Sequence, residues 1–268
     1  MSETHDVAGL LADRTMVIAG VGPGLGGQIA RLAVAHGAAV VMGARSTDYG
    51  TALATELSAA GSRVRFERCD VTDDGDCEQL VATAVDTFGG VDAVVANAMS
   101  GAGAGQTLAQ ADFDQWRDAF DVNFFGALRT VRAAAPALEQ SSHGSVIFVG
   151  SQIVRRVFAG RGAYASSKAA LLTMAQVLAV ELGPKGVRVN TVLPGRMWGP
   201  PLQRAVPRLS AERGTTEEEQ VAGWIDATAL KRLATDEECG RAVIFLASDL
   251  AAAITGQAID ANAGETMR

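Results

Sequence analysis

Residues 151–171, SQIVRRVFAGRGAYASSKAAL, contain a serine, a tyrosine and a lysine in an order suited to proton transfer. Tyr164 and Lys168 lie four apart at the start of an apolar helical pattern, which puts them on one face, a turn apart. An ammonium near a phenol favours the phenolate and lowers the tyrosine pKa towards the working pH. Tyr164 is therefore a candidate proton donor or acceptor. Ser151 ends the preceding apolar run and is placed to hydrogen-bond a reacting oxygen. A lone Y-x-x-x-K is also an ordinary surface pair. Its position after a glycine-rich loop and a series of strand-like runs gives it weight.

That loop, IAGVGPGLGGQIA (residues 18–30), carries two overlapping phosphate-cradling patterns. Gly22, Gly24 and Gly27 fit G-x-G-x-x-G, while Gly20, Gly24 and Gly26 fit G-x-x-x-G-x-G. It follows an apolar run and opens a helical pattern, the context in which glycines let backbone N–H groups approach a pyrophosphate. A turn that uses glycine for positive φ is the plain alternative. Cofactor identity is read at the end of the second strand, where an acid holds the ribose of NAD and a cation suits the 2′-phosphate of NADP. The stretch AAVVMGARSTD has Ala44 in that place, followed by Arg45. The missing acid and the guanidinium favour NADP(H), with NAD(H) possible and a surface role for Arg45 as the alternative.

Short apolar runs at 15–20, 38–44, 63–70, 91–98, 144–151, 187–195 and 256–264 are expected as seven strands. Helical patterns at 25–36, 48–60, 74–88, 112–138, 163–182 and 236–248 separate them. The alternation predicts an α/β fold, a doubly wound parallel sheet of Rossmann type with helices on both faces, as a single domain over 1–268. The proline-rich segment 196–220 shows little periodicity and reads as a substrate loop or lid, or as a solvated connection.

Composition narrows the partners. The net charge is −7 over 268 residues, without a basic run, which disfavours nucleic acid. Cys69, Cys77 and Cys239 form no C-x-x-C pair, and the three histidines are scattered, so neither a metal site nor a disulfide framework is expected. The opening MSETHDVAGLLADRT lacks the pattern of a signal peptide, and no apolar run approaches bilayer length. A soluble cytoplasmic protein with no membrane partner is the expectation.

Taken together, these motifs resemble the classical short-chain dehydrogenase/reductase family over nearly the whole chain from about residue 13. The family's T-G-x-x-x-G-x-G loop matches Gly20, Gly24 and Gly26, with Ala19 in place of the threonine, and places Leu25 beside the cofactor. CDVTD puts Asp70 and Val71 at the adenine-contacting position. ANAM resembles the N-N-A-G motif, keeping Asn97 but carrying Ala96 and Met99. Asn123, in DVNFFGALR, matches the helix asparagine that anchors a proton-relay water. LPGRMWGP resembles the proline–glycine motif beside the nicotinamide, so Pro194, Gly195 and Met197 are implied as cofactor contacts. Gly199 stands where that motif often has threonine.

The resemblance implies hydride transfer between NADP(H) and a carbonyl or secondary alcohol, with Asn123, Ser151, Tyr164 and Lys168 as the catalytic set. It implies that Lys168 and Tyr164 also contact the cofactor, that no metal takes part, and that the chain forms a homo-oligomer, dimer or tetramer, on helices 112–138 and 163–182. NAD(H)-linked dehydrogenation and a non-catalytic nucleotide sensor are the alternatives. Asn123 also reads as a residue satisfying nearby backbone, and Asp70 as a turn cap. Arg155, Arg156 and Arg161 suit an acidic substrate or a solvated or subunit-facing surface. Met99, Phe158, Met197 and Trp198 read as pocket or core, and Trp116 and Trp224 as packing residues.

Overall fold

Strand β1 (Thr15–Ala19) shows why the apolar runs are continuous. Met16 and Ile18 point into one hydrophobic cluster, Val17 and Ala19 into another. The same division runs through β2 (Ala39–Ala44) and β5 (Ser145–Val149), where Ile147 and Val149 face one layer and Val146 and Phe148 the other. A strand covered on both faces has no polar side to advertise its alternation. The remaining strands are β3 (Val64–Arg68), β4 (Ala93–Ala96), β6 (Arg188–Pro194) and β7 (Ala258–Ala261). The structure, a computed structural model, describes residues 9–267, so the expectation about a signal peptide rests largely on positions outside the described residues.

All pairings in the seven-stranded sheet are parallel, in the order β3-β2-β1-β4-β5-β6-β7. Each strand is a residue or more shorter than its apolar run, because the run extends into the adjoining loop at one end or both. Helices α1 (Leu25–Ala35), α2 (Thr47–Ala59) and α9 (Asp236–Ala247) contribute to one core; α3 (Asp74–Phe88), α5 (Ala127–Leu138) and α6 (Gly162–Leu182) form the other. A fully buried side chain such as Ile29 or Phe148 contributes about 1.5–3 kcal/mol relative to exposure. Helix ends follow local chemistry. Asp73 caps α3 by accepting from the Asp76 N–H at 2.8 Å, and Thr235 and Glu238 form a capping box at α9.

Two segments depart from the sequence reading. The single helix expected at 112–138 is α4 (Phe113–Phe120), a π-helical stretch (Asp121–Gly126) and α5, without a change of direction at the joins. The segment 196–220 is helical rather than an irregular loop: α7 (Pro200–Arg213) and the start of α8 (Glu217–Asp226) occupy most of it. Pro200 and Pro201 sit at the first turn of α7, where a missing N–H costs nothing. The signal was present in the spacing of Leu202, Val206 and Leu209, and in a Thr216–Glu219 capping box. Prolines and mixed charge obscured it. These side chains join Trp224 and Leu233 in a small separate core.

No helix among the described residues is long and apolar enough to cross a membrane. None of their histidines, cysteines and acids group in a way that suits a metal ion. The three cysteines are free and buried.

Candidate active site

Strand order reverses between β1 and β4, and in open parallel sheets the crevice at the carboxyl ends of such strands is where ligands bind. The glycine loop leaves β1 there. Gly20 has φ +101°, and a Cβ on it would strike the backbone of Ala98 just beyond β4. Gly26 packs against the Gly20 carbonyl and the Asn97 amide, whose Nδ2 donates to Gly20 O at 2.5 Å. Gly24 is the N-cap of α1, covered by Pro201 of α7, with Leu25 buried behind it. Gly22 has no neighbour that a Cβ would meet. Every glycine of the G-x-x-x-G-x-G reading, Gly20, Gly24 and Gly26, has a neighbour that limits a side chain, whereas the other reading includes the unconfined Gly22; Gly27 is also tightly packed, against Tyr49 and the Gly22 carbonyl.

At the next strand ends, Arg45 is exposed and free of hydrogen bonds to the described residues. Asp70 accepts from the Thr72 N–H at 3.1 Å and its hydroxyl at 2.8 Å. These bonds, with smaller help from the nearby Arg45 and Arg68, hold its carboxyl below the usual range. Asp70 thus caps the turn after β3, and the Val71 side chain packs inward against Gly126. A dinucleotide fits this set: glycines that keep the crevice floor flat, a helix N-terminus, and an uncommitted guanidinium at the end of β2.

Beyond β5 the chain turns through a short 3-10 segment capped by Ser151, whose Oγ accepts from the Ile153 N–H at 3.2 Å. Tyr164 and Lys168 sit on the first turns of α6. Burial pushes the Tyr164 phenol up, opposed by the proximity of Ser151 and then by the charge of Arg161. The phenol and the serine form no hydrogen bond of ordinary geometry in this arrangement. Lys168 is almost wholly buried; its Nζ donates to the Val149 carbonyl at 2.7 Å, and burial lowers its pKa to about 8. Its ammonium is committed to the end of β5, and the groups that favour the phenolate are Ser151 and Arg161.

Asn123 lies in the π-helical stretch, fully buried. Its Oδ1 accepts from Ser100 N at 2.7 Å, and Nδ2 donates to Ser100 O and to Ser167 Oγ, each at 3.0 Å. Ser167 Oγ in turn donates to the Tyr164 carbonyl at 2.9 Å. The amide therefore satisfies neighbouring backbone and ties the segment after β4 to the turn that carries Tyr164. Ser100 and Ser167 were not singled out from the sequence, where a serine next to Y-x-x-x-K gives no sign of its partner.

Pro194 ends β6, and Gly195 passes so close to Asn262 and Gln152 that a side chain would collide with both. Met197 bridges to Ala234, and Trp198 N donates to Ala234 O at 2.7 Å. A Cβ on Gly199 would overlap the Asp236 carboxylate, so the threonine of the family pattern has no room. Asp236 is buried, its Oδ2 lacks a partner, and desolvation raises its pKa. Sequence reasoning missed it because an acid at a helix N-terminus is commonplace. Arg155 pairs with Asp260 rather than facing solvent, while Met99, Phe158 and Trp198 are exposed around the cleft and Trp224 is buried in the small core.

Comparison with known proteins finds relatives along nearly the whole chain. The family described as enoyl-(acyl carrier protein) reductase matches residues 20–266. The chain is 31% identical to the short-chain reductase protein NovJ of Streptomyces niveus over 92% of each chain. It is 30% identical to dehydrogenase/reductase SDR family member 4 of Oryctolagus cuniculus, covering 96% of this chain and 95% of that protein. A solved short-chain type dehydrogenase/reductase from Mycobacterium ulcerans superposes with a TM-score of 0.85 at 28% identity, over 95% of this chain and 90% of that one.

Proposed function

The chain belongs to the short-chain dehydrogenase/reductase family, NAD(P)-linked oxidoreductases that interconvert alcohols and carbonyls, and from that premise we propose that it uses NADP(H) with Tyr164 as the acid/base. The observation that carries this reading is the convergence of Ser151, Tyr164 and Lys168 beside the crevice where the glycine loop leaves β1. Arg45 supports the choice of NADP(H): it is exposed at the end of β2 and forms no ion pair among the described residues, and nearby Asp70 is engaged by Thr72.

Bound in the crevice, the nicotinamide supplies or accepts hydride; the protein contributes position and protons. The glycines and the α1 N-terminus would hold the pyrophosphate, and Leu25, Asn97, Pro194, Gly195 and Met197 would contact the rest of the cofactor. Ser151 orients the reacting oxygen. Tyr164, kept neutral by burial, donates its proton to that oxygen in reduction and takes one back in oxidation. Asn123 positions Tyr164 through Ser167. Lys168 is within a helical turn of Tyr164, with a pKa near enough to neutrality to pass a proton on. The lid of this reading is helical: α7, whose Pro201 covers Gly24, together with α8.

A homo-oligomer through α5 and α6 is part of the same reading, supported by exposed Phe125, Val177 and Val180 on those helices and the stretch between α4 and α5. A cytoplasmic setting is supported by the three free cysteines.

The test is absorbance at the reduced-nicotinamide band with a carbonyl panel and both cofactors. Wild type turns over with NADPH, and Tyr164→Phe loses about 10²–10⁴-fold in kcat while still binding the cofactor. Full turnover by Tyr164→Phe overturns the assignment. Tight cofactor binding by wild type without turnover on any carbonyl favours the sensor reading.

A further inference from the structure

Four guanidiniums from three separate segments converge beside the catalytic turn. Arg156 and Arg161 come from the loop between Ser151 and Tyr164, Arg196 follows β6, and Arg213 ends α7. The Phe158 ring lies between two of them, with Arg156 at 5.4 Å and Arg196 at 5.5 Å from its centroid, and Arg196 also stacks on Trp224 at 5.6 Å. The crowding is felt at Arg196. Burial disfavours its charge most, followed by the like charges of Arg213, Arg156 and Arg161.

The carboxylates nearby leave this charge largely uncompensated. Glu265 is consumed by Arg196, and Asp260 by Arg155. Arg213 reaches only the neutral Gln220, whose oxygen, when turned towards it, accepts at 3.2 Å and also accepts from Trp224 Nε1 at 2.8 Å. Arg156, Arg161 and Arg213 have no ion-pair partner among the described residues. Concentrating like charges in a chain of net charge −7 is unfavourable unless an anion completes the cluster. Aromatic stacking holds Arg156 and Arg196 in fixed planes, which lowers the ordering cost of binding a planar or tetrahedral oxyanion.

One member of the cluster lies beside the reacting centre. Arg161 is the N-cap of α6, three residues before Tyr164, and its charge is felt by the phenol. Three residues, a rise of about 4.5 Å, separate the two along the axis.

We propose that the substrate is an anionic carbonyl or alcohol, an oxo acid or hydroxy acid or its phosphorylated counterpart, whose oxyanion is held by Arg156, Arg161 and Arg213 a few bonds from the carbon that Tyr164 serves. This deepens the oxidoreductase reading and rests on it. Carboxylate and phosphate share the recognition chemistry, charge-assisted hydrogen bonds to a guanidinium fork, and the experiment separates them.

The experiment compares short oxo acids with their methyl esters, and phosphorylated ketones with the free hydroxyketones, in wild type and in the Arg156→Gln/Arg213→Gln double variant. Wild type is expected to favour the anionic member at least tenfold in kcat/KM, through KM, with the preference shrinking as salt rises. The double variant loses at least fivefold of that ratio; because the neutral member is measured in the same preparation, a loss of folded protein cancels. Equal kcat/KM for anionic and neutral members in wild type, or an unchanged ratio in the variant, overturns the proposal while leaving the oxidoreductase reading standing. If no carbonyl is turned over, that reading fails, and tryptophan fluorescence titration with succinate and with inorganic phosphate decides the anion site. Saturable binding weakened at least fivefold in the double variant supports it; absent or unchanged binding overturns it. Whichever of the two probes binds more tightly assigns carboxylate or phosphate.

Discussion

The Asp236 carboxylate, at the start of α9, occupies the space that a side chain at Gly199, ahead of α7, would enter. Neither residue explains itself alone. The glycine lets the backbone pass over the acid, and the acid fills the volume that the glycine leaves. A Gly199→Thr substitution therefore overpacks this contact, and a loss of about 1–3 kcal/mol is expected. Asp236→Ala removes the colliding atoms, so the double variant is more stable than the sum of the single changes implies. Chemical denaturation of the four proteins measures the coupling; strict additivity would show that the two positions do not share this volume.

The glycine loop offers a test of which of its two overlapping patterns matters for the fold. Gly20→Ala and Gly26→Ala force a Cβ into the Ala98 backbone and the Gly20 carbonyl, and each is expected to lower stability by roughly 1–3 kcal/mol. Gly22→Ala meets open space and stays within about 0.5 kcal/mol of wild type. Thermal melting of the three variants is the measurement, and equal losses at Gly22 and Gly26 would refute the assignment.

Reversing the charge at the end of β2 tests the cofactor. Arg45→Asp removes a phosphate donor and supplies an acceptor for ribose hydroxyls, so the NADP(H)-to-NAD(H) ratio of kcat/KM falls by roughly 10–100-fold. Steady-state kinetics with each cofactor reads it. A preference for NADP(H) that survives the change places the 2′-phosphate elsewhere.

Lys168 makes stability depend on pH in a definite direction. Burial lowers its pKa from 10.5 to about 8, so between those values the unfolded chain binds more protons than the native one and stability rises with pH. Below about pH 8 both states are protonated, and the buried ammonium carries its full cost, on the order of 3 kcal/mol before the Val149 hydrogen bond offsets part of it. Lys168→Met is accordingly expected to be more stable than wild type at pH 7, with the gap closing as pH rises from 8 towards 10.5, and to lose turnover. Denaturation midpoints across that range check the slope; a gap that widens with pH contradicts it.

Strands covered on both sides, such as β1, β2, β4 and β5, were legible as apolar runs, the edge strands β3 and β7 being only part-buried, and six helical patterns were legible because their apolar positions repeat locally. Segment 196–220 was read as irregular because prolines at the first turn of α7 and at Pro207 interrupt the pattern that Leu202, Val206 and Leu209 continue. Spacing alone put Tyr164 and Lys168 on one helix face, since residues a turn apart on one helix stay together whatever the rest of the chain does, whereas the approach of Ser151 depends on the turn after β5.

Contacts between distant segments were decided only by the tertiary structure. Lys168 spends its ammonium on the Val149 carbonyl, Asn123 clamps Ser100 to Ser167, Asp236 fills the space at Gly199, and Arg196 and Arg213 join Arg156 and Arg161 around two aromatic rings. Sequence by itself determined the periodicities, the glycine loop and the order of Ser151, Tyr164 and Lys168, because those depend on neighbours along the chain. Which donors are already engaged, and which charges gather unpaired, depends on segments that meet only when the sheet closes between its two helical layers.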